Sequence, residues 1–497
     1  MIVTKNIENK DITRSVRFDD NVEYKNITEE DISSDTCEEN NKESEEAICL
    51  NGNTKRQDHV DKNYNNIKGE EETIDPIVKN VKINISVFNS LDPKVRKLFN
   101  THDMHWTETN SMLIYKSPNF VYSPNIIIAD LDGVLIKKNN VKNLYKKTTN
   151  LKGELCESVQ LYSNNIARLI RAANVSLVIV SNQCTSSKVL YDIIKLKLES
   201  FIELTNLPVI ALFPLKNNCF AKPHTKTWPM INYFFQQRSI KIVNTAVIGA
   251  NAGMIEEKLT DGIIVHDIVN ADTDRSYAHN IGASFIRADH FYGISRDIPL
   301  RWTSDIVEPE VRRKLIRFLN KIEKPDLWEE IKKIKADLYL IMIFGAPTCG
   351  KTTIANKLLE TIKKEEWGDT NRIEYYEKKV HMSRIEKCFK NSIHVMLDGE
   401  YPNNLVRAPY LELAKKYNAA VVLIEVNVGM EMSKLFNHVR VENSKRTDLT
   451  LVKKENYYKY RGDYITPTIS NSEGNKQKYI LYCPTIELDN KILDMRF

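Results

Sequence analysis

From residue 125 onward, short apolar runs alternate with amphipathic stretches in the rhythm of strand and helix. NIIIADLDGVL (125–135) is an apolar run that meets acids, so it reads as a buried parallel strand with its C-terminal loop. NNIARLIRAA (164–173) has helical spacing, and VSLVIVSNQ (175–183) reads as a second buried strand. SKVLYDIIKLKLESFIEL reads as an amphipathic helix with its apolar face at positions 189, 190, 193, 194, 197 and 201. PVIALFPL predicts a third strand, KTWPMINYFFQQ a helix, and TAVIGANAG a fourth strand entering a loop. A charged helical stretch, VRRKLIRFLNKI, follows among prolines and reads as a connector. LYLIMIFGAPTCGKTTIANKLLETI then opens a second strand–loop–helix unit, with SIHVMLDGEYP and AAVVLIEVNV as further buried strands. The pattern predicts an α/β fold: two α/β domains with mostly parallel sheets, at 100–298 and 337–497, joined by a linker at 299–336.

Ahead of these, residues 1–80 show no lasting apolar period, and Trp106, Met112, Leu113 and Tyr115 form an ordered lead-in. The leader holds 20 Asp/Glu against 11 Lys/Arg, which predicts a disordered acidic segment that cannot bury enough surface to fold. The remaining residues, 81–497, carry a net charge of +14, which suits a polyanionic partner. At 497 residues, 42% hydrophobic and 28% charged, the chain has a globular composition that excludes collagen-like and membrane-embedded classes. It contains no apolar run of the roughly 18 residues a bilayer span needs, and no signal-peptide core at Met1–Ser15. The eight cysteines are scattered without a CxxC pair, so neither a zinc ribbon nor a disulfide framework is expected. The chain reads as an intracellular monomer, nuclear or cytoplasmic, with no membrane partner.

Two loops carry candidate chemistry. GAPTCGKT matches GxxxxGK[ST] between a predicted strand and a predicted helix. Such a loop wraps backbone N–H groups around phosphates at the positive end of a helix dipole. Gly345, Ala346, Pro347, Thr348, Cys349, Gly350, Lys351, Thr352 and Thr353 are the expected ATP-binding residues. Lys351 would reach the β/γ-phosphates and Thr352 would hold magnesium. The second loop is DLDGVL, which resembles motif I of the haloacid dehalogenase superfamily of phosphotransferases. Asp130 would be the nucleophile and Asp132 the acid/base, with magnesium offsetting repulsion between these carboxylates and a phosphate. Ser181 ends the next apolar strand, where motif II supplies a hydroxyl, and Lys222 stands where motif III supplies a phosphate-neutralising lysine.

A haloacid-dehalogenase-like domain followed by a P-loop kinase domain resembles the polynucleotide kinase 3′-phosphatase family, bifunctional enzymes that repair DNA ends. The matching pieces run in the family's order: IADLDGVLI, LVIVSNQ, KPHTKTW, VIGANAG, DRSYAHNIG with Asp274 and Arg275, FGAPTCGKTT, VHMSR, VMLDGEYPNNLVR and FNHVRVENSKRTD. The resemblance implies a 3′-phosphatase and an ATP-dependent 5′-hydroxyl kinase acting on DNA or RNA ends, with Mg2+ and ATP as cofactors and repair or ligation proteins as possible partners. It further implies that Asp398 is the acid of the strand after the P-loop helix. Arg407 would serve the substrate side, and Arg440 and Arg446 would belong to a lid.

The chain also departs from the family. Where the phosphatases have GDAAG with a metal-binding Asp, this sequence has Gly249-Ala250-Asn251-Ala252-Gly253. Where the kinases have an Asp after an Asn-Arg pair to deprotonate the 5′-hydroxyl, Ser383-Arg384 is followed by Ile385 and Glu386. A one-residue slip makes Glu386 the candidate base. These departures keep open a degraded relative that binds nucleic-acid ends and ATP but does little chemistry; an enzyme of small phosphorylated metabolites stays open because both folds host many functions.

Overall fold

The structure is a computed structural model that describes residues 106–137, 159–185, 187–260, 263–268, 270–294, 298–302, 308–364, 372–377, 380–468 and 476–497. The acidic leader, 1–80, lies outside the described residues.

The first half contributes strands β1 (Trp106–Glu108), β2 (Met112–Lys116), β3 (Asn125–Ala129), β4 (Ser176–Val180), β5 (Val209–Pro214), β6 (Asn244–Gly249), β7 (Ile255–Thr260), β8 (Ile263–Ile268) and β9 (Ser284–Arg287). Its helices are α1 (Ile166–Ala173), α2 (Lys188–Thr205), α3 (Thr227–Gln236), α4 (Thr273–Ile281) and α5 (Ala288–Phe291). Seven strands form one sheet in the order β1-β2-β5-β4-β3-β6-β9, and β7 and β8 pair as a separate hairpin. The β1–β2 and β2–β5 pairings are antiparallel; the others in the large sheet are parallel. Isoleucines 126–128 and the SLVIV run are buried on both faces, as strands covered by helices on both sides must be. From β3 the chain winds outward through β4 and β5, then returns to place β6 on the opposite side. The C-terminal end of β3 is thus a topological switch point, where open α/β sheets bind ligands.

Between the halves run α6 (Pro309–Lys321) and α7 (Leu327–Lys332), so the predicted linker contains two helices. The second half holds β10 (Tyr339–Phe344), α8 (Lys351–Lys364), β11 (Ile373–Glu377), α9 (Met382–Lys390), β12 (His394–Asp398), α10 (Asn404–Lys416) and β13 (Ala420–Val426). It ends with α11 (Met430–Asn443), α12 (Lys454–Asp463), β14 (Gln477–Tyr482) and α13 (Asn490–Asp494). Its five strands are all parallel, in the order β11-β12-β10-β13-β14. Here β10 is the strand from which the winding reverses, and the GAPTCGKT loop leaves its C-terminal end. The mixed α/β class with largely parallel sheets, expected from the alternation, is the observed one.

Three of the positions assigned to the apolar face of α2 do not hold apolar core residues. Val189 is exposed, Leu190 is half-buried, and position 197 is a lysine, buried beside Ile193, Ile194, Leu198 and Phe201. Among the described residues no helix is long and apolar enough to cross a membrane.

Candidate active sites

Asp130 follows β3 directly, and its backbone N–H donates to Ile248 O on β6 (3.2 Å), which holds it in the switch-point crevice. Its carboxylate accepts from the Leu131 N–H (2.9 Å) and lies 3.4 Å from Lys222 Nζ. Burial pushes the Asp130 carboxyl up to about 6, against the opposing pull of Lys222 and a hydrogen bond from Ser181. Lys222 is itself buried, on the loop after β5. Burial alone would lower its pKa, but Asp130 and Asp274 together outweigh that and raise it. Asn182, one residue past Ser181, pins the lysine's backbone with a reciprocal pair of hydrogen bonds, both 2.8 Å. Asp130, Ser181 and Lys222, 92 residues apart in the chain, therefore meet at three neighbouring strand ends.

Three participants had no assigned place in the pocket on sequence grounds. Asp274, in the first turn of α4, is completely buried and stands 2.5 Å from Lys222 Nζ. It also accepts from the Asn251 N–H (2.9 Å). A Cβ at position 249 would fall 2.3 Å from Asp274 Cβ, so the glycine of VIGANAG makes room for the acid. Lys197 reaches from α2 to Asp132 at 2.7 Å. Gln183 donates to both Ser181 Oγ (3.0 Å) and Asp132 Oδ2 (3.3 Å). The signal for Lys197 was a charged residue at a core-facing helix position; for Asp274 it was the DR pair in the matching segment.

Asp130 and Asp132 were expected to hold magnesium, and the surroundings fit that poorly. Among the described residues no three carboxylate, imidazole or thiol groups stand together as a metal cage. Asp132 is taken by Lys197, Asp274 by Lys222 and the Asn251 N–H, and Ala250 brings no ligand. Hard magnesium prefers several oxygen ligands, and here two lysines occupy much of that role.

In the second half, the loop from β10 into α8 adopts left-handed backbone at Thr348 (φ 59°) and Gly350 (φ 99°). Gly345 is required by close packing, since a Cβ there would lie 2.4 Å from Val426 O. Lys351 Nζ folds over the loop onto the carbonyls of Gly345 (3.1 Å) and Ala346 (2.6 Å). Thr352 Oγ1 donates to Asp398 Oδ2 (2.5 Å), which also accepts from Tyr375 OH (3.1 Å). Thr348 is held by Ser433 O and Tyr457 OH, both 2.6 Å, from α11 and α12. Pro347 to Thr353, Asp398 and Arg440 line a cavity of about 1010 Å³. Arg440 is steadied there by Asn437 Oδ1 and Thr450 O, both 2.9 Å. A hydroxyl and a carboxylate side by side suit magnesium on nucleotide phosphates, because that ion takes most of its ligands from phosphate and water.

Three expected participants stand elsewhere. Ile385 is fully buried in the core under β12, which turns the next residue outward. Glu386 therefore pairs with Lys416 and Tyr417, both at 2.8 Å, away from the cavity, and these partners hold its carboxyl down at about 2. It is not placed to be a base. Arg407 is also completely buried. Its guanidinium donates to Tyr401 O (2.8 Å), Asn404 Oδ1 (2.9 Å) and Ile465 O (2.5 Å) and lies over the Phe344 ring, so it braces the fold rather than meeting substrate. Arg446 lies at the surface, paired with Asp448.

Residues 125–292 match the family described as Polynucleotide kinase 3 phosphatase. The chain is 21% identical over 387 residues to a bifunctional polynucleotide phosphatase/kinase of Schizosaccharomyces pombe, covering 77% of this chain and 86% of that one. It is 23% identical over 425 residues to a putative bifunctional polynucleotide phosphatase/kinase of Acanthamoeba polyphaga mimivirus, covering 78% and 93%. Among solved structures, Chaetomium thermophilum Kti12 in complex with ADP-AlF3 aligns with 32% of this chain and 94% of its own, at 16% identity and a TM-score of 0.23. The resemblance read from the motif order is borne out by the first three findings.

Proposed function

We propose, from this kinship with the polynucleotide kinase 3′-phosphatase family, that the chain removes 3′-phosphates from nucleic-acid ends and phosphorylates 5′-hydroxyls with ATP. The observation that supports the reading is two separate clusters of acid, lysine and hydroxyl side chains in one chain, each at the switch point of its own largely parallel sheet. In the first pocket, the Asp130 carboxylate attacks phosphorus and the bond to the 3′-oxygen breaks. Asp132 delivers the proton to that oxygen, and Lys222 and Ser181 hold the phosphoryl oxygens. Water then cleaves the aspartyl-phosphate, with Asp132 taking its proton. The lysines balance the gathered negative charge, and Lys197 fixes the direction of Asp132.

In the second pocket, the P-loop N–H groups and Lys351 receive the phosphates of ATP. Magnesium, when bound beside Thr352 and Asp398, would supply charge neutralisation at the transferring phosphoryl group. Arg440 adds a cation from the α11 side of the cavity. The net charge of +14 outside the leader favours nucleic-acid ends over small metabolites.

The second reading is a relative that binds ends and ATP without turnover, and Ala250 and the buried Ile385 favour it. Oligonucleotides with a 3′-phosphate or a 5′-hydroxyl, incubated with and without ATP and magnesium, separate the two readings. The wild-type protein is expected to process both ends. Asp130→Asn should lose only dephosphorylation, since an amide is a poor nucleophile. Lys351→Ala should lose only ATP binding and phosphorylation. End binding without turnover at either site would replace the enzyme with the binding protein.

A further inference from the structure

The kinase reading leaves one proton without a destination. As the attacking oxygen bonds to phosphorus, its proton must leave, and a placed carboxylate can take it. Ile385 packs in the core and Glu386 faces away, so helix α9 supplies no acid to the cavity. Among the described residues five carboxylates line it: Glu377, Asp398, Glu400, Asp463 and Glu487. Asp398 is buried and committed to Thr352 and Tyr375.

Glu400 is presented differently from the rest. It stands two residues beyond Asp398 on a tightly fixed turn. The Gly399 N–H donates to Ile343 O (3.1 Å) on β10, and a Cβ at 399 would come 2.6 Å from the Tyr401 ring. Tyr401 adopts a left-handed φ of 37°, packs edge-on against Tyr410, and has its carbonyl held by the buried Arg407. A non-glycine residue in that region persists only where its surroundings over-determine it. Asp398 and Tyr401 are both buried, while Glu400 between them is exposed on the cavity wall. Glu400 has no hydrogen bond or ion pair among the described residues, and its charge is felt at Tyr457, the phenol that holds P-loop Thr348. A free carboxylate on a rigid turn beside the phosphate-binding loop is what a general base requires.

We propose that Glu400 is the general base of phosphoryl transfer in this chain, a step that rests on the kinase reading above. The hydroxyl oxygen bonds to the γ-phosphorus as its proton passes to the Glu400 carboxylate. The bond from the γ-phosphorus to the bridging oxygen breaks, and ADP leaves with that electron pair. The buried Arg407 acts here through the turn, by holding Tyr401.

The test is steady-state kinase kinetics on a 5′-hydroxyl oligonucleotide, with ATP affinity measured separately, for wild type, Glu400→Gln, Glu400→Asp and Glu377→Gln. Glu400→Gln should lower kcat by roughly 10²- to 10⁴-fold with ATP affinity and thermal midpoint retained. Glu400→Asp should restore part of the rate, since it keeps a carboxylate on the same turn. A kcat for Glu400→Gln within about threefold of wild type overturns the assignment while leaving the kinase reading intact. So does a large loss in Glu377→Gln alone, which would place the base on edge strand β11. A wild-type protein that transfers no phosphoryl group overturns both.

Discussion

At the scale of single residues, the first pocket is governed by one carboxylate held in an unfavourable place. On the phosphatase reading Asp130 is the nucleophile and must be ionised, yet burial raises it to about 6 against the opposing pull of Lys222 and Ser181. Below that value the acid is protonated and inert, and as pH rises through it the nucleophile appears. Dephosphorylation should therefore climb along a limb centred near pH 6 and level off above it. In Lys222→Met the opposing cation is gone, so the residual limb should move to higher pH, and the plateau should fall by at least about 10²-fold. A pH–rate profile of kcat/KM on a 3′-phosphate oligonucleotide reads both effects, and a flat profile between pH 5 and 8 would contradict the assignment. Asp130, Ser181 and Lys222 were legible in the sequence because each sits at or beyond a strand end with a motif around it. Asp274 was visible only as part of a matching segment. Its place depends on α4 packing over a missing side chain at Gly249, which no local pattern encodes.

At the scale of elements, one residue on a helix is a rotation of about 100°, and that rotation decided two assignments. On α9 the buried Ile385 fixes the phase, so Glu386 must face Lys416 and Tyr417. Glu386→Gln should accordingly leave phosphoryl transfer unchanged. A variant with lost kinase activity and intact ATP binding would show that α9 turns in solution. On α2 the period read as apolar at position 197 meets a lysine instead, buried with its ammonium on Asp132. Lys197→Met keeps the bulk and the apolar stem while freeing Asp132. The helix should stay folded, with a thermal midpoint at or above wild type, while dephosphorylation falls by roughly 10- to 100-fold through misplacement of the acid. Loss of the fold instead would mean the ammonium is needed for packing. The strands and the P-loop were the most legible elements, since apolar runs and glycine spacing are local properties.

At the scale of the molecule, the two halves share buried structure that a strand-by-strand reading of the chain does not foretell. Val441 of α11 is fully buried within the core between β3–β6 and α3, and Leu449 and Leu451 pack against the same cluster. Glu442, the next residue, accepts from Thr225 N (3.2 Å), bonds His224 Nδ1 (3.0 Å) and pairs with the Thr225 hydroxyl. Burial would raise this carboxyl, yet His224 and Thr225 hold it below its ordinary value. Those partners follow Lys222 by two and three residues, and Arg440 precedes Glu442 by two. One buried contact thus ties the loop that carries Lys222 in the first pocket to the helix that lines the second. Removing the acid leaves a buried imidazole, a backbone N–H and a hydroxyl without their partner, each worth about 1–3 kcal/mol when unsatisfied. Glu442→Ala should lower stability by at least that much and reduce dephosphorylation, although Glu442 itself touches neither Asp130 nor the P-loop. Calorimetry of the wild type should show the two halves unfolding in one transition, because their cores interdigitate at Val441. In Glu442→Ala that transition should move down as a unit, with phosphatase kcat falling alongside it at temperatures well below the midpoint. Two independent transitions in the wild type, or a destabilised variant with full phosphatase activity, would mean that the contact joins the halves without positioning Lys222.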